Sequence, residues 1–230
     1  MPAERTTTRH VERRTGRHGE LALIERDGEL EIISNGVFLM DTRDGRSERL
    51  LVAAALEAAP QPVRRLLIGG LGVGFSLAEA IAHGVPDILV VESEPAVIAW
   101  NATHTGSRTG GRLDSTGVRC HEGDLVAWLR EVDEVTDGVV GEVFDVICLD
   151  VDNGPDWVVD ASNAWLYTDD GLRALASRLV RPGGVLAVWA ASPSPGFEER
   201  LRRSFQQVVT HTLPVARGEP DVVYVASRAR

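Results

Sequence analysis

The strongest constraint on the fold is the alternation that begins at Arg64. Short apolar runs alternate with helical patterns, and several runs end on a glycine or an acid. Leu66-Leu67-Ile68 runs into glycines, and Phe75–His83 reads as a helix closed by Gly84. Ile88–Val91 ends at Glu92, and Pro95–His104 reads as a helix with proline in its first turn. Thr105–Gly117 reads as a mobile polar loop. Val118–His121 is a strand before Gly123-Asp124, and a helix runs from Asp124 through Glu131. Phe144–Leu149 is a buried strand ending at Asp150. A helix from Asp169 or Asp170 to Val180 is stopped by Pro182-Gly183-Gly184. Val185–Ala190 is a strand, Gly196–Gln206 a helix, and Val208–Thr212 and Val222–Ala226 the last strands, close enough to pair antiparallel. Continuously apolar strands between helices predict a mostly parallel α/β sheet covered on both faces.

Upstream, Leu21–Arg26, Glu29–Ser34 and Val37–Asp41 are separated by Asp27-Gly28 and Asn35-Gly36, dipeptides suited to tight hairpin turns. They predict a small antiparallel meander over residues 20–44, followed by a helix at Ser47–Ala59 that opens a domain over 45–230. Residues 1–19 hold five Arg against two Glu and lack apolar periodicity, which predicts a disordered basic tail.

The 24 basic residues are all arginine. Without lysine there is no lysine Schiff base and no phosphate-loop lysine. The bias fits GC-rich coding and so a bacterial source. The formal net charge of −10 disfavours nucleic acid and suits a cationic ligand. No apolar run is long enough for a membrane span, and no apolar core follows the N-terminal arginines, so a cytoplasmic protein is expected. Cys120 and Cys148 fall on the third and fourth parallel strands, about 14 Å apart at ~4.8 Å per strand, beyond disulfide reach. The six His show no metal-ligand spacing, so no metal is expected. His121 reads as a structural residue, with a base role as the alternative.

Gly69-Gly70-Leu71-Gly72-Val73-Gly74 joins the first parallel strand to a helix, where glycines permit a tight turn and close ligand approach. A dinucleotide fingerprint starting at Gly70 would need a small residue where Phe75 stands. The pattern is instead G-x-G-x-G, with Gly70, Gly72 and Gly74, which looks like the cofactor loop of S-adenosylmethionine-dependent transferases. Glu92 has the placement of a ribose-binding acid. Asp124 reads either as an acceptor for an adenine amino group or as a helix cap. Asp150 follows the fourth strand, with Asp152 two residues on. Acids after successive parallel strands share the sheet's carboxyl edge, where ligands bind in open α/β sheets.

Taken in order, these segments resemble the spermidine synthase (polyamine aminopropyltransferase) family over roughly residues 20–227. The resemblance rests on Asn35-Gly36-Val37 before Arg43-Asp44, on Ile68-Gly69-Gly70, and on Val91-Glu92-Ser93-Glu94-Pro95. It continues through Gly123-Asp124, Phe144-Asp145-Val146-Ile147, Asp150 with Gly154-Pro155, Leu166-Tyr167-Thr168, and Pro182-Gly183-Gly184-Val185-Leu186. It implies a Rossmann-like class I methyltransferase fold with seven strands ordered 3-2-1-4-5-7-6. It also implies S-adenosylmethionine or its decarboxylated form as cofactor, a small-molecule acceptor and a homodimer. Gly69, Gly70, Gly72, Gly74, Glu92, Asp124 and Asp150 would bind the cofactor.

The departures fall mainly on the polyamine side. Gly72 stands where the family loop has Asp, and Leu39 where it has a cofactor-contacting Gln. Arg46-Ser47-Glu48 replaces Tyr-His-Glu, and Ala216 replaces a later substrate Tyr. The catalytic segment is shortened to Asp150-Val151-Asp152-Asn153-Gly154-Pro155. Asp150 and Asp152 are the catalytic candidates, with a turn-forming role as the alternative for Asp152. Tyr167, Trp157 and Trp165 are candidates for the substrate side, with packing as the alternative. The leading expectation is methyl or other alkyl transfer to a small molecule that is not an ordinary diamine. The alternatives are true aminopropyl transfer and a non-catalytic binding module.

Overall fold

The computed structural model describes residues 7–131, 142–216 and 218–229. The first of its two sheets is antiparallel, with β1 (Thr8–Gly16), β2 (Gly19–Arg26), β3 (Glu29–Ser34) and β4 (Val37–Asp41) side by side in chain order. Asp27, Gly28, Asn35 and Gly36 all have positive φ, between 48° and 86°, as two-residue hairpin turns require.

The disordered tail expected over residues 1–19 is corrected here, because β1 pairs along β2 from Thr8 opposite Arg26 to Gly16 opposite Gly19. Charge and polar pairing hold it, without an apolar period. Arg9 binds Glu25 at 2.6 Å, and Glu12 Oε2 accepts from Trp100 Nε1 at 2.8 Å. Residues 1–6 lie outside the described part.

The second sheet contains β5 (Arg65–Gly69), β6 (Asp87–Glu92), β7 (Val118–Glu122), β8 (Val146–Leu149), β9 (Val185–Ala190), β10 (Phe205–Leu213) and β11 (Asp221–Ala229). Its order is β10-β11-β9-β8-β5-β6-β7, which is 3-2-1-4-5-7-6 when β5 is counted first. Strands β5 to β9 are parallel, and β11 is antiparallel to both β9 and β10. The helices are α1 (Arg46–Ala58), α2 (Phe75–Ala82), α3 (Pro95–Trp100), α4 (Gly106–Thr109), α5 (Leu125–Glu131), α6 (Asp169–Ser177) and α7 (Pro195–Ser204). Among the described residues no helix is long and apolar enough to cross a membrane.

The period-two alternation of strand side chains divides the core in two. Leu66, Ile68, Ile88 and Val90 face α1, α2 and the first sheet's Leu21, Leu23, Leu30 and Ile32. Leu67, Leu89 and Val91 face Leu129, Leu172, Leu175 and Leu201 on α5, α6 and α7. In register, Cys148 lies opposite Ile68, Ile68 opposite Val90, and Val90 opposite Cys120. The two thiols are therefore three strands apart and free.

The segment Thr105–Gly117 also differs from its expected mobile-loop reading. A π turn, Asn101–Thr105, leads from α3 into α4. Asn101 Nδ2 donates to Gly111 O at 2.7 Å, and its Oδ1 accepts from Leu113 N at 3.1 Å. Thr109 Oγ1 donates to Val73 O at 3.1 Å, tying the segment to the glycine loop. Its polar side chains satisfy buried backbone groups.

Because Leu23 is fully buried in a core shared by both sheets, the chain should unfold in one transition. Leu23→Ala should lower stability by about 2–5 kcal/mol. Urea unfolding followed by far-ultraviolet dichroism and tryptophan fluorescence checks this: two separated transitions would contradict the shared core.

Candidate functional site

A cavity of about 290 Å³ opens at the carboxyl edge of the parallel strands, roofed by the antiparallel sheet. The glycine loop forms its floor. Gly70 has φ 87°, and a Cβ there would lie 2.1 Å from the Asp150 carbonyl oxygen, so only glycine fits. Gly72 packs its bare Cα toward Met40, and Gly74 toward the Gly111 carbonyl. Gly69 lies just below the lining; a Cβ there would strike Leu125.

Glu92 ends β6 and is buried. Its Oε2 accepts from Leu71 N at 2.8 Å and its Oε1 from Glu94 N at 2.7 Å. Each oxygen keeps a further lone pair, the arrangement that accepts from a pair of hydroxyls. Burial raises its pKa, while the Leu71 and Glu94 amides pull it back. Asp124 lines the cavity and caps α5, with Oδ1 accepting from Ala127 N at 2.7 Å. The two readings offered for Asp124 are thus compatible: one oxygen caps, and the residue borders the cavity.

Asp150 directly follows β8, partly buried, and its Oδ2 accepts from Ser76 Oγ at 2.7 Å. Glu48, from the first turn of α1, lies beside it and accepts from Ser47 Oγ at 3.0 Å. Burial pushes Glu48 up to about 7, helped by the Asp150 charge. Burial likewise pushes Asp150 up to about 6, against the Ser76 hydrogen bond. The two carboxyls titrate as a pair.

Asp152 has φ 55°. Its Oδ1 accepts from Val159 N and Asp160 N, both at 3.1 Å, and so shapes the following loop. Its Oδ2 is buried and finds no hydrogen-bond partner among the described residues. Seven carboxylates line the cavity: Glu48, Glu92, Glu94, Asp124, Asp150, Asp152 and Asp160. No arginine lines it among the described residues, and His18 is its one basic side chain.

Three expected substrate-side residues stand elsewhere. The Tyr167 hydroxyl donates to Val151 O at 3.0 Å, and its ring packs edge-on against Phe197. It therefore props the Asp150–Asp152 segment from behind. Trp165 lies under the Arg130 guanidinium, 4.5 Å from its ring centre. Trp157 is 67% exposed and does not line the cavity. Packing and loop anchoring, the alternative weighed for all three, fit Tyr167 and Trp165; Trp157 is a surface residue. His121 is exposed on the edge strand β7 and also stands outside the lining.

Sequence reasoning did not select Glu48, although the family's Glu is retained in Arg46-Ser47-Glu48. His18 and Asp160 were also missed. They meet across 142 positions, and no local pattern marks that pairing.

No protein-family model matches the chain. It is 30% identical over 175 residues to the polyamine aminopropyltransferases of Mycobacterium tuberculosis (strains CDC 1551 / Oshkosh and ATCC 25618 / H37Rv) and Mycobacterium bovis. That match covers 76% of this chain and 31% of theirs, so the aligned stretch spans about a third of the curated relatives' length. Among solved structures, a spermidine synthase in complex with the transition-state analogue AdoDATO superposes with a TM-score of 0.77 at 17% identity, covering 95% of this chain and 73% of that one. The spermidine synthase of Thermotoga maritima gives 0.72 at 16% identity, covering 95% and 72%.

Buried carboxyls with raised pKa values bind protons that the unfolded chain has already released. Their contribution to stability is full at acid pH and is lost as pH rises through about 6 and 7. Between pH 5 and 8 stability should fall by about 4 kcal/mol at most from this pair, and Asp150→Asn should flatten the slope. Urea midpoints across that range test this; a wild-type and variant slope that coincide would refute it. The chain is thus a homologue of the polyamine aminopropyltransferases over 175 residues and shares the two-sheet fold of the spermidine synthases.

Proposed function

We propose that the chain is an S-adenosyl-cofactor-dependent transferase that moves an aminopropyl group onto a small-molecule amine. One observation carries this reading: among the described residues the cavity is lined by seven carboxylates and no arginine. A cofactor with an intact methionine carboxylate would need a cation or free amides at the glycine loop. Of the loop's N–H groups, those of Gly70, Leu71 and Gly74 are already donated, to Val91 O, Glu92 and Leu71 O, which leaves a carboxylate fewer donors there. Decarboxylated S-adenosylmethionine has no carboxylate and two positive centres, which suits the charge. The relatives' names support the same choice over the methyl transfer first expected for a non-diamine acceptor.

The residues present fit such a cofactor. Gly70 and Gly74 leave a cradle that a side chain would fill, and Glu92 offers two oriented oxygens to a ribose. Asp124 borders the same end and would face the adenine. When bound, the cofactor supplies an electrophilic carbon next to a sulfonium. The protein's task is to align an amine with that carbon and to take its proton. Glu48 and Asp150 are placed for this. An alkylammonium near them is stabilised as a cation, yet carboxyls titrating near neutrality also serve as its proton acceptor. With no lysine in the chain, a carboxylate is the base at hand. Asp152 shapes the loop beside the cavity through the Val159 and Asp160 amides, and Tyr167 positions the segment that carries both aspartates.

Purified protein given decarboxylated S-adenosylmethionine and butane-1,4-diamine should form an aminopropylated product, read by mass spectrometry. Glu48→Gln should lower kcat about 100-fold or more. Glu92→Ala should weaken methylthioadenosine binding roughly 10-fold or more by calorimetry. Methylated product from S-adenosylmethionine, with none from the decarboxylated form, would restore the methyl-transfer reading. Binding without turnover of either would favour a non-catalytic module.

A further inference from the structure

We propose that a second cavity, at the amino edge of the parallel sheet, is an oxyanion site in which Arg181 and Arg228 together hold a phosphate group. The site is separate from the cofactor cavity and independent of the transfer reading. Its volume is about 530 Å³, and its lining includes Pro60, Leu179, Arg181, Gly183, Gln206 and Arg228.

Local structure brings the two arginines together from distant parts of the chain. Arg181 stands between α6 and β9, in a turn closed by Gly184 N donating to Val180 O at 3.0 Å. Gly183 has φ 110°, and a Cβ there would lie 2.7 Å from Pro60 Cγ, so the turn packs closely on the segment after α1. Arg228 lies near the end of β11. The ladder pairs Phe205 with Ala229 and Gln207 with Ser227, which sets Gln206 and Arg228 opposite each other. Ser227 also pairs with Val185, the first residue of β9, just past the Arg181 turn.

Charge and strain distinguish this cavity. Among the described residues no acid lines it, in a chain that has 34 acids. Among the described residues the guanidinium groups of Arg64, Arg181 and Arg228 are those without a hydrogen bond, ion pair or ring contact, and Arg181 and Arg228 both line this cavity. Arg228 also has φ 57°, in the left-handed region that a non-glycine residue adopts only at a cost. The fold thus sets two like charges at one opening without a counter-charge, and one of them on unfavourable backbone. Such strain at a charged opening points to a ligand.

Phosphate fits these donors. A guanidinium is a planar fork of N–H groups that matches two phosphate oxygens, and two guanidiniums balance both charges of a phosphate dianion. The Gln206 amide can donate to a further oxygen. A single carboxylate would satisfy one fork and leave the other unmatched.

Calorimetry on the whole protein, with inorganic phosphate and ribose 5-phosphate as probes, tests this. Inorganic phosphate should bind once per chain with a Kd of about 1 mM or tighter, and more weakly as sodium chloride is raised. Both arginines are exposed, so replacing them leaves the core intact. Arg181→Gln and Arg228→Gln should each weaken binding about 10-fold or more, and Arg181→Lys, which keeps the charge and loses the fork, roughly 3-fold. Arg64→Gln, which removes an unpartnered arginine outside the lining, should leave binding unchanged. Arg228→Gly should lose binding while raising the thermal midpoint, because glycine accepts the positive φ. Tighter binding of ribose 5-phosphate than of phosphate assigns a phosphate ester to the site, and weaker binding assigns the free anion; both support it. No binding of either probe, or a loss in Arg64→Gln equal to that in the cavity variants, would overturn the proposal. A short single-stranded RNA that binds where neither probe does would overturn it in favour of a nucleic-acid surface.

Discussion

Everything at the site depends on burying carboxylates at the carboxyl edge of a parallel sheet with, among the described residues, no arginine in the cavity lining. Charge in such a place is expensive, so each acid has a compensating device. Glu92 is compensated by two backbone amides, and through one of them it fixes the glycine loop. Asp124 is compensated by the first turn of α5. Asp150 has only a serine hydroxyl and Glu48 beside it, and both are pushed toward neutrality. The graded compensation separates tasks. Glu92 and Asp124 are held in place by backbone N–H groups, while the poorly satisfied Glu48–Asp150 pair can exchange protons near neutrality.

The second sheet-forming unit matters because the parallel sheet alone cannot close the cavity. Leu21, Leu23, Leu30 and Ile32 join the core around Leu51 and Val52 of α1, which holds the antiparallel sheet over the edge. That packing brings Leu39, Met40 and His18 to the rim and sets Met40 over Gly72. Glu48 arrives by the same route, since α1 connects the two sheets. One apolar interface therefore determines both stability and the identity of the acids that meet.

Much of this was legible in the sequence, for local reasons. The parallel strands, the glycine loop and the acids Glu92, Asp124 and Asp150 follow from apolar runs ending at Gly, Asp or Glu, signals that span only a few residues, whereas the strand order came from the family resemblance. Strand β1 was not legible, because Arg9–Glu25 and Glu12–Trp100 pairing carries no hydrophobic period. Asn101 and Thr109 made a tied segment look like a loose loop, since polar side chains that serve buried backbone look the same in sequence as solvated ones. Trp157, Trp165 and Tyr167 suggested a substrate wall by position alone. Side-chain direction decided otherwise, and no spacing rule encodes it for an irregular segment.

The arginines explain how so acidic an edge is tolerated. At the opposite edge, where the parallel strands begin, Arg65 binds Asp87 at 3.1 Å and Glu142 at 2.9 Å, and Arg119 binds Asp87 at 3.0 Å. Arg26 and Arg43 close on the buried Glu31 within the antiparallel sheet. Guanidinium groups form such forked, always-charged contacts well, but they make poor proton acceptors. Placing them away from the cavity leaves its potential negative and its proton chemistry to carboxylates.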